Sequence, residues 1–155
     1  MEKHEGGCSC GDVRYHITDE PLFTHACHCK LCQRYTASAF VVHSLIEASN
    51  FVVEQGKLIT TVGPSGSGSG HSIQRCERCG DQVFSYFAAI GTDQILVFKT
   101  TTLDKADNFP PLAHICTKSK LSWVELGTDI PSFDEFYDRD KIYSKRSLER
   151  RSKIN

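Results

Sequence analysis

Eight cysteines in a chain of 155 residues carry the most reactive chemistry in this sequence. They form three clusters and one remainder. "CSC" supplies Cys8 and Cys10, "CHCKLC" supplies Cys27, Cys29 and Cys32, and "CERCG" supplies Cys76 and Cys79, while Cys116 stands alone in "HICTKS". Thiolates hold zinc, and a structural zinc takes four ligands in a closed tetrahedron. "CERCG" has knuckle spacing: two intervening residues let both sulfurs turn back onto one ion, and the following Gly80 tolerates the tight backbone. The knuckle needs two more ligands, and "CSC" offers two. Cys8, Cys10, Cys76 and Cys79 together make a complete four-thiolate site, which adds folding free energy directly. The alternative leaves Cys8 and Cys10 as exposed thiols and gives the knuckle other partners.

The remaining cluster is one ligand short. Cys27 and Cys29 share one side of an extended segment and Cys32 follows across a turn, so all three can converge on one ion. The fourth ligand is Cys116, one of His25, His28, His43 or His114, or a molecule from outside the chain. Closure makes an inert scaffold, whereas an open position marks catalytic zinc. A free thiol, with a pKa of about 8.5, is mostly protonated at neutral pH, and coordination to zinc deprotonates it. A thiol substrate in the open position is then a nucleophile for a carbonyl, and ligand activation and positioning outweigh polarisation at a centre with three thiolates. The developing alkoxide needs a proton donor, for which His28, His43 and His114 are candidates; His28, between two ligands, is expected to point away from the metal. Each has the alternative role of an ordinary core or surface histidine. Trp123 reads as a core anchor or a substrate wall, and Arg34 as a solvated cation or a partner for a substrate carboxylate.

These residues need a scaffold, and alternation dominates the chain. "DVRYHI" places Val13, Tyr15 and Ile17 on one face, the period of a half-buried strand. "SAFVVHSLI", "NFVVEQ", "KLITTV", "QVFSYFA" and "QILVFKT" also read as short strands bounded by Gly, Asn, Asp and Ser. Helical periodicity is scarce: one turn is expected over 30–36 and another over 131–140, with Ser132 or Asp134 as a cap. "GPSGSGSGHS", residues 63–72, reads as a mobile hairpin loop, and "NFPPL", residues 108–112, as a stiff extended break. The formal net charge of −1 argues against a general nucleic-acid footprint. "KIYSKRSLERRSKIN" reads as a basic, solvated or frayed tail. No apolar leader or membrane-length apolar run is present, so a reducing cytoplasmic setting is expected, with nuclear placement also open; there cysteines point to metal more than to disulfides.

The order of the motifs is specific. C-x-C near the start, then CHCxxC, then CxxCG, together with "AHICTKSKLSWVELGTDIPSFDEF", resembles the glutathione-dependent formaldehyde-activating enzyme (GFA) family, also called the centromere protein V family, over roughly residues 5–137. The resemblance implies a mainly β, single-domain, zinc-bearing β-tent of short antiparallel strands over residues 1–140, with residues 141–155 as a basic tail. It implies structural zinc on Cys8, Cys10, Cys76 and Cys79, and a second zinc on the catalytic residues Cys27, Cys29 and Cys32 with the thiol of glutathione able to take the open position; such an open three-thiolate site is expected to lose its metal more readily than a closed one. The implied activity is that of a carbon–sulfur lyase forming S-hydroxymethylglutathione from glutathione and formaldehyde. A homo-oligomer is compatible with this reading, and a membrane partner is not expected. The sequence departs from the family pattern at Ala37, where a glycine is usual, at Arg75, where a phenylalanine is usual, and at Asp81, where a small residue is usual. The competing expectation is a non-catalytic, zinc-stabilised protein-binding module, favoured if Cys116 closes the triplet.

Overall fold

The computed structural model describes residues 3–154. Ten strands and three short helices alternate with 3-10 turns: β1 (His4–Gly7), β2 (Arg14–Ile17), β3 (Phe23–Cys27), α1 (Lys30–Thr36), β4 (Val41–Glu47), β5 (Phe51–Gln55), β6 (Leu58–Gly63), β7 (His71–Cys76), β8 (Gln82–Phe87), β9 (Ile95–Lys99), β10 (His114–Ile115), α2 (Arg139–Ile142) and α3 (Lys145–Arg151). β1, β2 and β5 make a three-stranded sheet, and the rest make a seven-stranded sheet in the order β10-β3-β4-β9-β8-β7-β6. Every pairing between strands is antiparallel except β10 with β3, a two-residue parallel match.

The alternation in "DVRYHI" explains how the sheets meet. Val13, Tyr15 and Ile17 are fully buried, and the Tyr15 ring stacks on Phe51 at 4.3 Å and meets Phe98 of the larger sheet edge-on. The Tyr15 hydroxyl is 2.7 Å from Thr102 Oγ1, so the polar end of this large core residue is satisfied. Each expected strand is present. Four strands carry no alternation signal: β1, β3, β7 and β10. β3, an interior strand between β10 and β4, is buried at all five positions and so on both faces, and the polar Thr24 and His25 break up its apolar run.

Helix α1 lies where the sequence places it. Its N-cap is Cys29, whose sulfur accepts from the Cys32 N–H. The expected helix over 131–140 is a misreading. Residues 131–137 run beside β10 instead: His114 N–H donates to Pro131 O, Phe133 N–H donates to His114 O, and Cys116 N–H donates to Glu135 O. Those bonds use the backbone groups a helix would need. The helix starts at Arg139, with Asp138 as its cap rather than Ser132 or Asp134.

Within residues 63–72, 64–70 form the turn between β6 and β7, and Gly63 pairs with His71, the first residue of β7. The Tyr35 hydroxyl donates to Pro64 O, which fastens the loop to α1. The basic C-terminal segment is folded back on the body rather than frayed. Arg146 pairs with Asp19 at 2.6 Å, and Arg150 grips Glu47 with its Nε 2.8 Å from Oε1. Among the described residues no helix is long and apolar enough to cross a membrane.

Candidate active site and metal centres

The "CSC" and "CERCG" motifs are sixty-odd residues apart in sequence and adjacent in space. Cys8, Cys10, Cys76 and Cys79 present sulfurs that all lie within 4.8 Å of one another, with Cys8 and Cys10 3.5 Å apart and Cys10 and Cys76 3.8 Å apart. Zinc–sulfur bonds of about 2.3 Å at tetrahedral angles put neighbouring sulfurs about 3.8 Å apart, so this donor set fits a zinc ion. Tight turns create the fit. Gly80, at φ 79, donates its N–H to Cys76 O, and Gly11, at φ 76, donates to Cys8 O. The Val13 N–H reaches Cys8 Sγ at 3.2 Å; burial opposes the Cys8 thiolate, but this bond and the neighbouring sulfurs bring its pKa down to about 7.

Two departures from the family pattern serve this site. The Asp81 carboxylate accepts from the Ser9 N–H at 2.7 Å and from the Ser9 hydroxyl, which joins one cysteine turn to the other. Arg75 donates to Gly80 O at 3.1 Å and to Thr61 Oγ1 at 3.2 Å.

The second cluster sits where β3 passes into α1. Cys27 ends β3, Cys29 caps α1 and Cys32 lies in its first turn, and the three sulfurs are within 4.8 Å of one another. Such crowding spreads their proton affinities. The neighbouring thiols of Cys116, Cys29 and Cys32 push the Cys27 thiol far up, while Cys27 and Cys32 lower Cys29 to about 2. Cys27 favours the Cys32 thiolate, yet Cys29 and burial outweigh it and raise Cys32 to about 12. Three sulfurs this close do not all ionise without a cation between them. The chemistry and spacing of the donors suit zinc here as well.

Cys116 packs against the cluster that holds Cys27 but is outside the set of mutually close sulfurs. It adopts a left-handed backbone with φ 57 and packs with Cys29 and Cys32 around Cys27, Val41 and Ile115. The histidines separate. His28 Nε2 is 3.0 Å from His114 Nδ1, and the His28 ring packs against Phe40, so these two candidates face each other. His43 approaches the triad, with Nε2 3.5 Å from Cys32 Sγ. His25 is beside His43 and its Nδ1 is 2.9 Å from the Tyr137 hydroxyl. Burial lowers all four pKa values, taking His25 and His28 to about 4 and His43 well below its ordinary value, so they are neutral at neutral pH. Arg34 is exposed on α1, and Trp123, at 71% exposure, is not a core anchor.

One residue escaped the sequence reading. Lys99 ends β9 and is only 7% exposed, opposite His43 in the register of β4 and β9. Burial lowers its pKa to about 8, partly offset by the triad sulfurs, Cys32 first. The available signal was a lysine closing the apolar run "ILVFK".

Two largely antiparallel sheets, few helices and two cysteine clusters with metal-holding geometry define a small mainly β protein built around clustered cysteines. The family model described as glutathione-dependent formaldehyde-activating enzyme matches residues 3–119, and the chain belongs to that family. The fold is also similar to a crystal structure of a Rhodobacter sphaeroides protein, with 16% identity, a TM-score of 0.49, and coverage of 83% of this chain and 98% of that one.

Proposed function

We propose that this chain is a zinc-dependent carbon–sulfur lyase that joins a thiol such as glutathione to a small aldehyde such as formaldehyde at Cys27, Cys29 and Cys32. The observation that supports this most is the inequality of the two clusters: one has four mutually close sulfurs, the other three. Zinc held by the triad supplies the positive charge that makes an incoming thiol a thiolate. The chain's residues do the rest. β3 and α1 hold the sulfurs, and the buried His43 brings its Nε2 to 3.5 Å from Cys32 Sγ. In the reaction the sulfur–carbon bond forms, the carbonyl π pair moves to oxygen, and the proton given up by the thiol ends on that oxygen. Eight unpaired cysteines suit a reducing compartment such as the cytoplasm.

The test follows the carbon-13 signal of labelled formaldehyde with glutathione and compares adduct formation with the spontaneous rate. The reading expects two zinc ions per chain and a rate above background that Cys27→Ala abolishes. No excess rate at any pH would overturn the formaldehyde assignment. The packing of Cys116 against the cluster that holds Cys27 favours a second reading, a closed centre in a protein-binding module. A Cys116→Ser variant that loses the second zinc would support closure.

A further inference from the structure

A row of basic side chains crosses the larger sheet beside the triad. His25 of β3 pairs with His43 of β4, and His43 pairs with Lys99 of β9. Residues directly opposite on antiparallel strands share a face, so the three side chains stand together. All are buried: His25 is 8% exposed, His43 4% and Lys99 7%. His43 touches Cys32, which puts the row against the cysteines.

Among the described residues, no carboxylate lies within ion-pair distance of Lys99. A buried ammonium without an anion is costly, and lysine is almost never this buried unpaired. When the triad is ionised, Cys32, Cys27 and Cys29 are the groups whose negative charge favours the Lys99 ammonium. The other cations near the triad are engaged or solvated. Lys118 pairs with Glu135, Lys120 donates to Val124 O, and Lys30 and Arg34 are exposed.

We propose that Lys99 is the fixed counter-charge of the Cys27/Cys29/Cys32 centre, a positioning residue that lets the triad be held as three thiolates around a divalent cation. Three thiolates and a divalent ion carry one net negative charge. One ammonium in the same buried region neutralises it. The four-cysteine site carries two net negative charges but has Cys10 and Cys79 exposed to water, so it needs no buried partner. The proposal rests on the triad being a metal site, as in the proposed function, but not on any reaction there.

The test measures zinc affinity at each site by competition with a chromophoric chelator, and the sulfur-to-metal charge-transfer band after cobalt substitution. Lys99→Met is expected to weaken the triad site at least tenfold, to shift its charge-transfer band, and to leave the four-cysteine site as in the wild type. Lys99→Arg is expected to restore most of the affinity, because it restores the charge. Equal losses at both sites would mean a folding defect and would overturn the proposal, as would unchanged triad affinity in Lys99→Met or failure of Lys99→Arg to rescue. A wild type that binds a single zinc overturns it as well. A wild type with two zinc ions and no aldehyde chemistry would refute the enzyme reading alone and leave the counter-charge standing.

Discussion

The Nε2 of His43 lies 3.5 Å from the Sγ of Cys32, across the join between β4 and α1. The other ring nitrogen, Nδ1, is buried without a partner. A neutral imidazole offers one N–H, and Cys32 is the sulfur within its reach. Groups that orient metal ligands in this way typically matter tenfold to a hundredfold. His43→Leu is therefore expected to lower zinc affinity at the triad by about tenfold or more while circular dichroism stays native. An unchanged affinity would reduce His43 to packing.

The two clusters are expected to fail differently. Cys76 is fully buried among the sulfurs of the four-cysteine site, which ties β1 and β2 to the turn between β7 and β8. Cys76→Ala is expected to lose that site and unfold much of the chain, since a structural zinc contributes about 10 kcal/mol or more of binding energy to folding. Cys27→Ala is expected to lose one zinc and keep the fold. Metal analysis alongside thermal melting separates the two.

Acid should destabilise the fold through its buried histidines. Burial holds His25 at about 4 in the folded chain, helped by the charge of Lys99, against 6.5 unfolded. The unfolded chain then takes up the proton first. This stabilising contribution is complete above pH 6.5 and is lost as the pH falls toward 4, by roughly 3 kcal/mol over the full window. Urea unfolding at stepped pH should show that slope, and His25→Gln should flatten it. The same slope in both proteins would assign the acid sensitivity to other groups.

Arg150 anchors the C-terminal helix in an ion-pair cluster largely away from water, facing both Glu47 and Asp19. The Arg150 and Glu47 side chains are 12% and 13% exposed, and Arg150 also donates to Glu20 O at 2.8 Å. Arg150→Ala leaves the mostly buried Glu47 without its cation and with the Asn50 amide at 3.3 Å as a partner. The expected cost is about 1–3 kcal/mol, between that of a surface pair and a fully buried one. Limited proteolysis should then cut within 145–151. A protease pattern identical to wild type would show that other contacts hold the helix.

Ala37 ends α1 in the left-handed region, at φ 49, where its β-carbon is strained. Ala37→Gly relieves the strain but loosens the unfolded chain, so a net gain of roughly 0.5–1 kcal/mol is expected. Chemical denaturation would read it as a higher midpoint with the same slope. A lower midpoint would mean the methyl group packs favourably.

The cysteine grouping, the half-buried strands and α1 were legible in the sequence because their signals are local. Knuckle spacing, alternation of apolar residues and the short turn after the cysteine knot are each written within a few neighbouring positions. The helix expected at 131–140 failed because its backbone groups are taken by β10, a partner some twenty residues earlier in the chain. β3 was invisible because burial on both faces removes alternation, and the basic tail looked solvated because its acidic partners Asp19 and Glu47 are distant in sequence.

The sequence by itself determined which residues are able to hold metal and that the scaffold is mainly β, since donor chemistry and strand periodicity belong to residue types and short spacings. Only the tertiary structure decided which histidine meets the triad, that Cys116 packs against the cluster that holds Cys27 without joining the close set, and that Lys99 is buried beside them. The strand register made those choices. Pairing β3, β4 and β9 in one order puts His25, His43 and Lys99 on a common face, and nothing local to any of the three strands specifies that alignment.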